Sequence, residues 1–302
     1  MPRDLDEQLD KYLTDAHAME VQALAQMRSA PGIAGVPELA DAFRAHEQET
    51  VRHERLVRGC LEARGAAPSK LEDLLGRLSG KGFVLFAKLN PDTPGKLAAH
   101  AYSYEHLEAA TYDMLERVAE RAHDKDVARV ASEIRAEEKA MAQRIASLWD
   151  VTAAASGDDV EPYLADAHAL EAQSIELCKR GRDVDVVGPL LEEHLRESEE
   201  HRRLIEALVK PNRIKDAALR LGGLNWAGFF GAQPDTPAKL AVFAYAFEHL
   251  EIGGYEQLKR LGDAQAAAVA ERILPDERAA AEKLHAAFGP ALNASLDAVV
   301  NA

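Results

Sequence analysis

Basic charge, cysteine and strand-forming pattern are all scarce in this chain. Its 302 residues carry 36 Lys and Arg against 51 Asp and Glu, a formal net charge of -15. Nucleic-acid binders usually present a basic face, so no nucleic-acid partner is expected. Only two cysteines are present, Cys60 and Cys178, and they fall at unmatched places in the repeat described below. Two such thiols read as reduced core residues rather than as a disulfide. No apolar run approaches the ~20 residues that a membrane helix needs, so no membrane partner is expected. The opening M-P-R-D-L-D-E-Q-L-D is charged from the start and does not look like a secretory leader. The expected localisation is cytoplasmic. Strand signals are almost absent, while Ala, Leu, Glu and Arg dominate. These are helix formers, and the expected fold class is all-α.

What is present is a stretch that occurs twice. Pro91 to Tyr112 reads P-D-T-P-G-K-L-A-A-H-A-Y-S-Y-E-H-L-E-A-A-T-Y, and Pro234 to Tyr255 reads P-D-T-P-A-K-L-A-V-F-A-Y-A-F-E-H-L-E-I-G-G-Y. Each opens as a helix does, with a capping Thr and then a Pro at the first helical position. Stepping by four and three from Leu97 gives Ala101, Tyr104, Glu108, Thr111 and Leu115. That spacing is the inner stripe of a packed helix. Glu108, and Glu251 in the second copy, thus stand where a leucine is expected. A buried carboxylate is costly unless something pairs with it.

The rest of the chain repeats as well. Y-L-T-D-A-H-A-M-E at Tyr12 to Glu20 returns as Y-L-A-D-A-H-A-L-E at Tyr163 to Glu171. H-E-Q-E-T-V-R-H-E-R-L at His46 to Leu56 returns as H-L-R-E-S-E-E-H-R-R-L at His194 to Leu204. The spacing predicts helices over about 5–29, 36–64 and 125–149 and through the stretch that opens at Pro91, with a short helix over 70–78. It predicts the same plan again after a linker over 151–162. Pro275 is expected to kink the last of the repeated helices. The domains expected are 1–150 and 163–302. Short loops make the first and second, and the third and fourth, helices antiparallel hairpins. The long connection between the second and third lets those two run parallel. Two tandem four-helix bundles, each with one long crossover, form the ferritin-like arrangement.

The inner stripes of the four helices bring polar residues together. Candidate metal ligands are Glu20, Glu49, His53, Glu105, Glu108 and Glu138 in the first copy. Their counterparts are Glu171, Glu197, His201, Glu248, Glu251 and Glu277. His17, His46 and Tyr112, with His168, His194 and Tyr255, are expected to support them, the histidines with the option of ligating. Four inward carboxylates repel one another without cations or protons. Two divalent metals bridged by the carboxylates solve the problem. Oxygen-rich sites with an imidazole or two suit iron or manganese. The expected cofactor is therefore a di-iron or di-manganese centre in each copy. The competing expectation is a purely structural Glu/His network with no metal, in a non-enzymatic stress or scaffold protein. His106 and His249 fall one residue off the stripe. The loop aromatics Phe83, Phe86, Trp226, Phe229 and Phe230 read as covers for a bundle end or a domain interface.

At D-A-H-A-M-E, H-E-Q-E-T-V-R-H-E-R-L, Y-E-H-L-E and A-E-E-K-A-M-A the chain resembles the YciE/YciF-like family of bacterial ferritin-like proteins. Each copy spans essentially one family domain. The resemblance implies a cytoplasmic bundle, often dimeric and linked to stress responses. It also suggests that the two domains pair within the chain, as a fused form of the family dimer, with further homo-oligomers open. The chain departs from the better characterised di-iron members, which carry Glu-x-x-His on the second and fourth helices. Here Arg52 stands three residues after Glu49, and Met141 three after Glu138. The expected activity is redox chemistry on oxygen or peroxide.

Overall fold

The computed structural model describes residues 5–66, 93–210 and 236–300, which form ten α-helices, a short 3-10 turn at Ala30–Gly32 and no strand. The helices are α1 (Leu5–Met27), α2 (Pro37–Ala63), α3 (Thr93–Arg121), α4 (Lys125–Ala146), α5 (Trp149–Ala155), α6 (Glu161–Gly181), α7 (Gly188–Glu206), α8 (Thr236–Leu258), α9 (Ala264–Ala286) and α10 (Phe288–Val300). The predicted short helix at 70–78 and the loop aromatics lie outside the described residues. The chain divides into two compact units, Met1–Leu148 and Trp149–Ala302.

In the first unit α1 packs on α2 and α3, and α4 packs on α2 and α3. The pairs α1/α4 and α2/α3 therefore face each other diagonally. Arg64, just past the end of α2, fixes the directions of the helices. Its guanidinium donates to Asp10 at 2.5 Å, to Asp124 at 2.8 Å and to Asp6 at 3.1 Å. The start of α1, the end of α2 and the start of α4 thus meet at one end of the bundle. The end of α3 is there too, because only a tight turn separates it from α4. So α2 and α3 run parallel, and their connection joins opposite ends. The turn has His123 in the left-handed region (φ 59°), a conformation His tolerates better than most residues. Asp124 then caps α4 through the amide of Val127. The second copy uses Gly262 (φ 84°) and the cap Asp263 at the same two places.

The second unit repeats the ring, with α6 on α7 and α8, and α9 on α7 and α8. α9 continues through Pro275 as one helix. Two further helices lie against α8. α10 packs along it, and the Ser295 hydroxyl accepts from the amide of Ala238. α5 also packs on α8, although most of it lies in the stretch read as a linker from the sequence. The small residues of that stretch form a helical turn with Trp149, Thr152 and Ala153 buried. Thr152 accepts from the side-chain amide of Gln257 at 2.8 Å, and Asp150 pairs with Arg260. The fourth helix correspondingly stops at Ala146 and does not continue to Trp149. Both cysteines are free, Cys178 buried and Cys60 half-buried.

These contacts make α5 part of the second fold. A chain beginning at Trp149 should melt higher than one beginning at Glu161, which leaves the buried Gln257 amide without its acceptor. The lost partner alone costs about 1–3 kcal/mol. Thermal melts of the two truncations test this, and equal melting points would show that α5 contributes nothing.

Candidate metal centre

The inner stripe of α2 is set by helical period. Its buried residues include Leu39, Ala42, Phe43, His46, Thr50, His53, Val57 and Leu61. After His46 the stripe steps by four to Thr50 and then by three to His53. Glu49 and Glu197, expected inside from a step of three, are not: the Glu49 side chain is 29 % exposed and that of Glu197 30 % exposed. Both lie outside the buried groups described next. The Thr50 hydroxyl can sit inside because it donates to the His46 carbonyl. On α3 the stripe likewise takes Glu105, Glu108 and Tyr112, with Thr111 only half-buried.

Six side chains then meet in the first bundle as two groups. His46, Glu105, Glu108 and Glu138 form one, and Glu20, His53 and Glu138 form the other; within each, the candidate ligand atoms lie within 4.8 Å of one another. Glu138 belongs to both. Its Oε2 lies 3.2 Å from His46 Nε2, and its Oε1 lies 2.8 Å from His53 Nδ1. Glu105 Oε2 is 3.1 Å from His46 Nε2, and Glu20 Oε2 is 3.8 Å from His53 Nδ1. All six residues are buried. The second bundle repeats this with His194, Glu248, Glu251 and Glu277, and with Glu171, His201 and Glu277. There Glu277 Oε1 is 2.9 Å from His201 and Oε2 is 3.6 Å from His194.

Outside each group, hydrogen bonds orient the ligand candidates. The outer nitrogen of His46 donates to Glu49 at 2.9 Å, and that of His194 to Glu197 at 3.0 Å. The outer nitrogen of His53 meets Glu137 at 2.7 Å, and that of His201 meets Asp276 at 3.2 Å. Tyr112 donates to Glu20 Oε1, and Tyr255 to Glu171 Oε1. The inward atoms differ: Glu20 Oε2, His46 Nε2, His53 Nδ1, both oxygens of Glu105 and Glu138, and Glu108 Oε1 are buried without a hydrogen-bond partner. They approach one another closely, but none points along a hydrogen bond. Buried polar atoms in proteins are overwhelmingly satisfied, so a cluster of exceptions aimed at common points is the donor pattern a cation would fill.

The other sequence candidates lie apart. His17 binds Glu54 at 3.0 Å, outside both groups. Its counterpart His168 is also outside, near Arg202, and burial together with that charge lowers its pKa. His249 donates to the Tyr245 carbonyl, and His106 packs edge-on against Tyr102. Glu137 and Asp276, which hold the second histidine of each group, are not among the candidate ligands read from the sequence. Their signal was their place beside Glu138 and Glu277, one residue off the stripe.

With no cation, protons carry the compensating charge. Burial and then the Glu138 charge raise Glu20 to about 8. Burial raises Glu105 to about 7 and Glu171 to about 7. Burial and the neighbouring Glu138 carry Glu108 well above the usual carboxylate range. Burial opposes charge on His53, but the close Glu138 carboxylate and the other carboxylates around it overcome this and raise it to about 9. Glu138 is the exception: burial would raise it, yet the nearby His46 and His53 rings hold it at about 2.

Four carboxylates and two imidazoles per bundle, one carboxylate shared, define the class: ferritin-like four-helix bundles with a buried Glu/His site. The inventory equals that of the di-iron bundles, which take a Glu from two helices and Glu-x-x-His from the other two. Here both histidines sit on the second helix, and the third supplies two carboxylates. The chain belongs to the family described as a domain of unknown function, DUF892, within the ferritin-like superfamily, and matches it over residues 4–156 and 161–296. No curated protein and no solved structure matches the chain. Among the described residues no helix is long and apolar enough to cross a membrane.

The shifts fix the sign of the pH dependence of metal-free protein. Glu20, Glu105 and Glu171 have raised folded values, so their contribution is full below the ordinary 4.5 and is lost as pH rises through about 7 to 8. His53 adds a contribution that is full below 6.5 and is lost as pH rises through about 9. Glu138 acts oppositely, but only as pH falls through about 2. The melting temperature of chelator-treated protein should therefore fall steadily between about pH 5 and pH 9. A flat or rising profile over that range would contradict the buried cluster.

Proposed function

We propose that each bundle binds a carboxylate-bridged pair of iron or manganese ions and uses it in redox chemistry on oxygen or peroxide. The observation that carries this reading is the convergence of unpartnered, buried oxygen and nitrogen atoms from four helices on two points that share one carboxylate. Four carboxylates balance two divalent charges, and the oxygen-rich donor set suits iron or manganese. His46, Glu105 and Glu108 would hold one ion, Glu20 and His53 the other, with Glu138 between them. His194, Glu248, Glu251, Glu171, His201 and Glu277 take the same roles in the second bundle. A bound pair would supply the electrons for reducing oxygen or peroxide.

The surrounding residues do the rest. Glu49 and Glu137 fix the ring orientation of His46 and His53 through the outer nitrogens. Tyr112 occupies one oxygen of Glu20 and leaves the other facing inward. Ile134 and Met141, both buried, flank Glu138 along α4 and keep bulk water away. The rival reading, a non-enzymatic stress or scaffold protein with a structural network, requires such atoms to satisfy one another. Iron storage ranks below both, since it needs a closed shell of many subunits. A stress setting in the cytoplasm and pairing of the two domains follow from the YciE/YciF-like resemblance.

Anaerobic reconstitution with Fe(II) or Mn(II) should leave two ions per bundle, one for each group; elemental analysis showing neither metal retained would remove the reading. The Glu108→Gln, Glu251→Gln double variant removes from each site one buried carboxyl that must hold a proton when no metal is bound. Its metal-free form should melt higher near neutral pH by about 2–4 °C, the shift produced by ~1 kcal/mol at this size. Its gain in melting temperature on adding metal should shrink. Glu49→Gln with Glu197→Gln should weaken metal affinity by about 10–100-fold by loosening the imidazoles. Parental affinity in a competitive chelator titration would show that Glu49 and Glu197 do not orient the histidines.

A further inference from the structure

The second bundle has an opening that leads to its site. A cavity of about 10 Å³ lies between α7 and α9. That is about the room one water occupies. Its inner end is formed by His194 and Glu248, both buried, and its walls include Leu191 and Ala280. Glu197 and Lys283 line it as well, with side chains 30 % and 40 % exposed, and so mark the solvent end.

The internal repeat shows which residues set the bore. The polar positions keep their chemistry in the first bundle, where His46, Glu105, Glu49 and Arg144 replace His194, Glu248, Glu197 and Lys283. The apolar wall differs. Its buried positions Leu191 and Ala280 become the larger, fully buried Phe43 and Met141, Leu284 becomes Ile145 of equal size, and only the half-buried Leu190 becomes smaller, as Ala42. The first bundle thus carries larger side chains at the two buried positions that wall the opening in the second.

We propose that this opening admits reactants of one or two heavy atoms to the second centre, that Leu191 and Ala280 set its bore, and that the first centre takes up such reactants more slowly because Phe43 and Met141 stand there. The inference rests on the metal reading for what the reactant meets, but not for the opening itself. The cavity as it stands holds one water, and dioxygen or peroxide is the largest reactant that small side-chain movements at its wall would admit. An organic substrate does not fit without movement of α7 or α9.

The test has two arms, applied to the parent, Ala280→Met and Met141→Ala. The first arm uses metal-free protein labelled with 15N-histidine and measures solvent exchange of the His194 and His46 ring N–H protons. Ala280→Met should slow His194 by about tenfold, a barrier of ~1.4 kcal/mol, and leave His46 unchanged. Met141→Ala, which needs no extra room, should speed His46 alone. The second arm follows nitric oxide binding to anaerobic Fe(II)-loaded protein by absorbance. The parent should bind in a fast and a slow phase, with Ala280→Met removing the fast phase and Met141→Ala the slow one. Exchange that responds as stated in protein that retains no iron supports the opening and defeats the metal reading. Parental exchange rates in both variants overturn the opening, whatever the iron content.

Discussion

Four carboxylates inside a helix bundle cannot all be ionised together without a counter-charge, and this constraint governs the molecule. Glu20, Glu105, Glu108 and Glu138 come from three helices and meet where an ordinary bundle would place leucines. Their repulsion in a low-dielectric interior is answered by His46 and His53, which carry Glu138 as an anion between them. The remaining carboxylates turn to protons, or to divalent cations where those are supplied. The outer ring of Glu49, Glu137 and Tyr112 exists in the same service: it occupies one atom each of His46, His53 and Glu20, so that each of these three leaves one atom facing inward.

The duplication lets one chain report which parts of this arrangement tolerate change. All six inner residues recur in the second bundle, as do the outer carboxylate of the first histidine and the tyrosine. The partner of the second histidine shortens from Glu137 to Asp276 and still reaches it. Around this constant centre the packing drifts. Ala23, Met27 and Thr50 become Ser174, Cys178 and Ser198, and the two serine hydroxyls bond each other at 3.1 Å. Burial pushes the Cys178 thiol up to about 12, so it behaves as an apolar filler rather than as a nucleophile. His17 keeps its imidazole in the copy, but Arg202 stands where Glu54 held the ring, and burial together with that charge lowers the His168 pKa, which sets this position apart from the chemistry of the centre.

Much of this was legible without coordinates. Composition dictated helices, the repeat dictated two bundles, and the loop lengths dictated hairpins with a long crossover. The polar residues interrupting the apolar stripes marked where the helices would converge. Glu20, Glu108 and Glu138 stood out that way, because a carboxylate at a leucine position is visible in one dimension, whereas Glu105 fell off the stripe read for its helix.

The tertiary structure decided what spacing leaves open. A period of 3.6 permits a step of three or of four, so His46 with Thr50 and Glu49 with Leu56 were equally good continuations on α2. Contact with α3 and α4 selected the first. It brought His46 Nε2 to Glu105 and Glu138 and turned Glu49 outward as the residue that holds the ring. The sharing of Glu138 between two groups depends on atoms from facing helices and has no trace in local sequence. So does the assignment of α5 to the second fold, since its small residues read as a linker until Gln257 is placed beside Thr152. The sequence by itself determined the class of fold, its duplication and most of the set of buried Glu and His side chains, because these follow from period and residue type. Which atoms face each other, and therefore which residues could hold an ion and which only steer, was decided by the packing of helices distant in the chain.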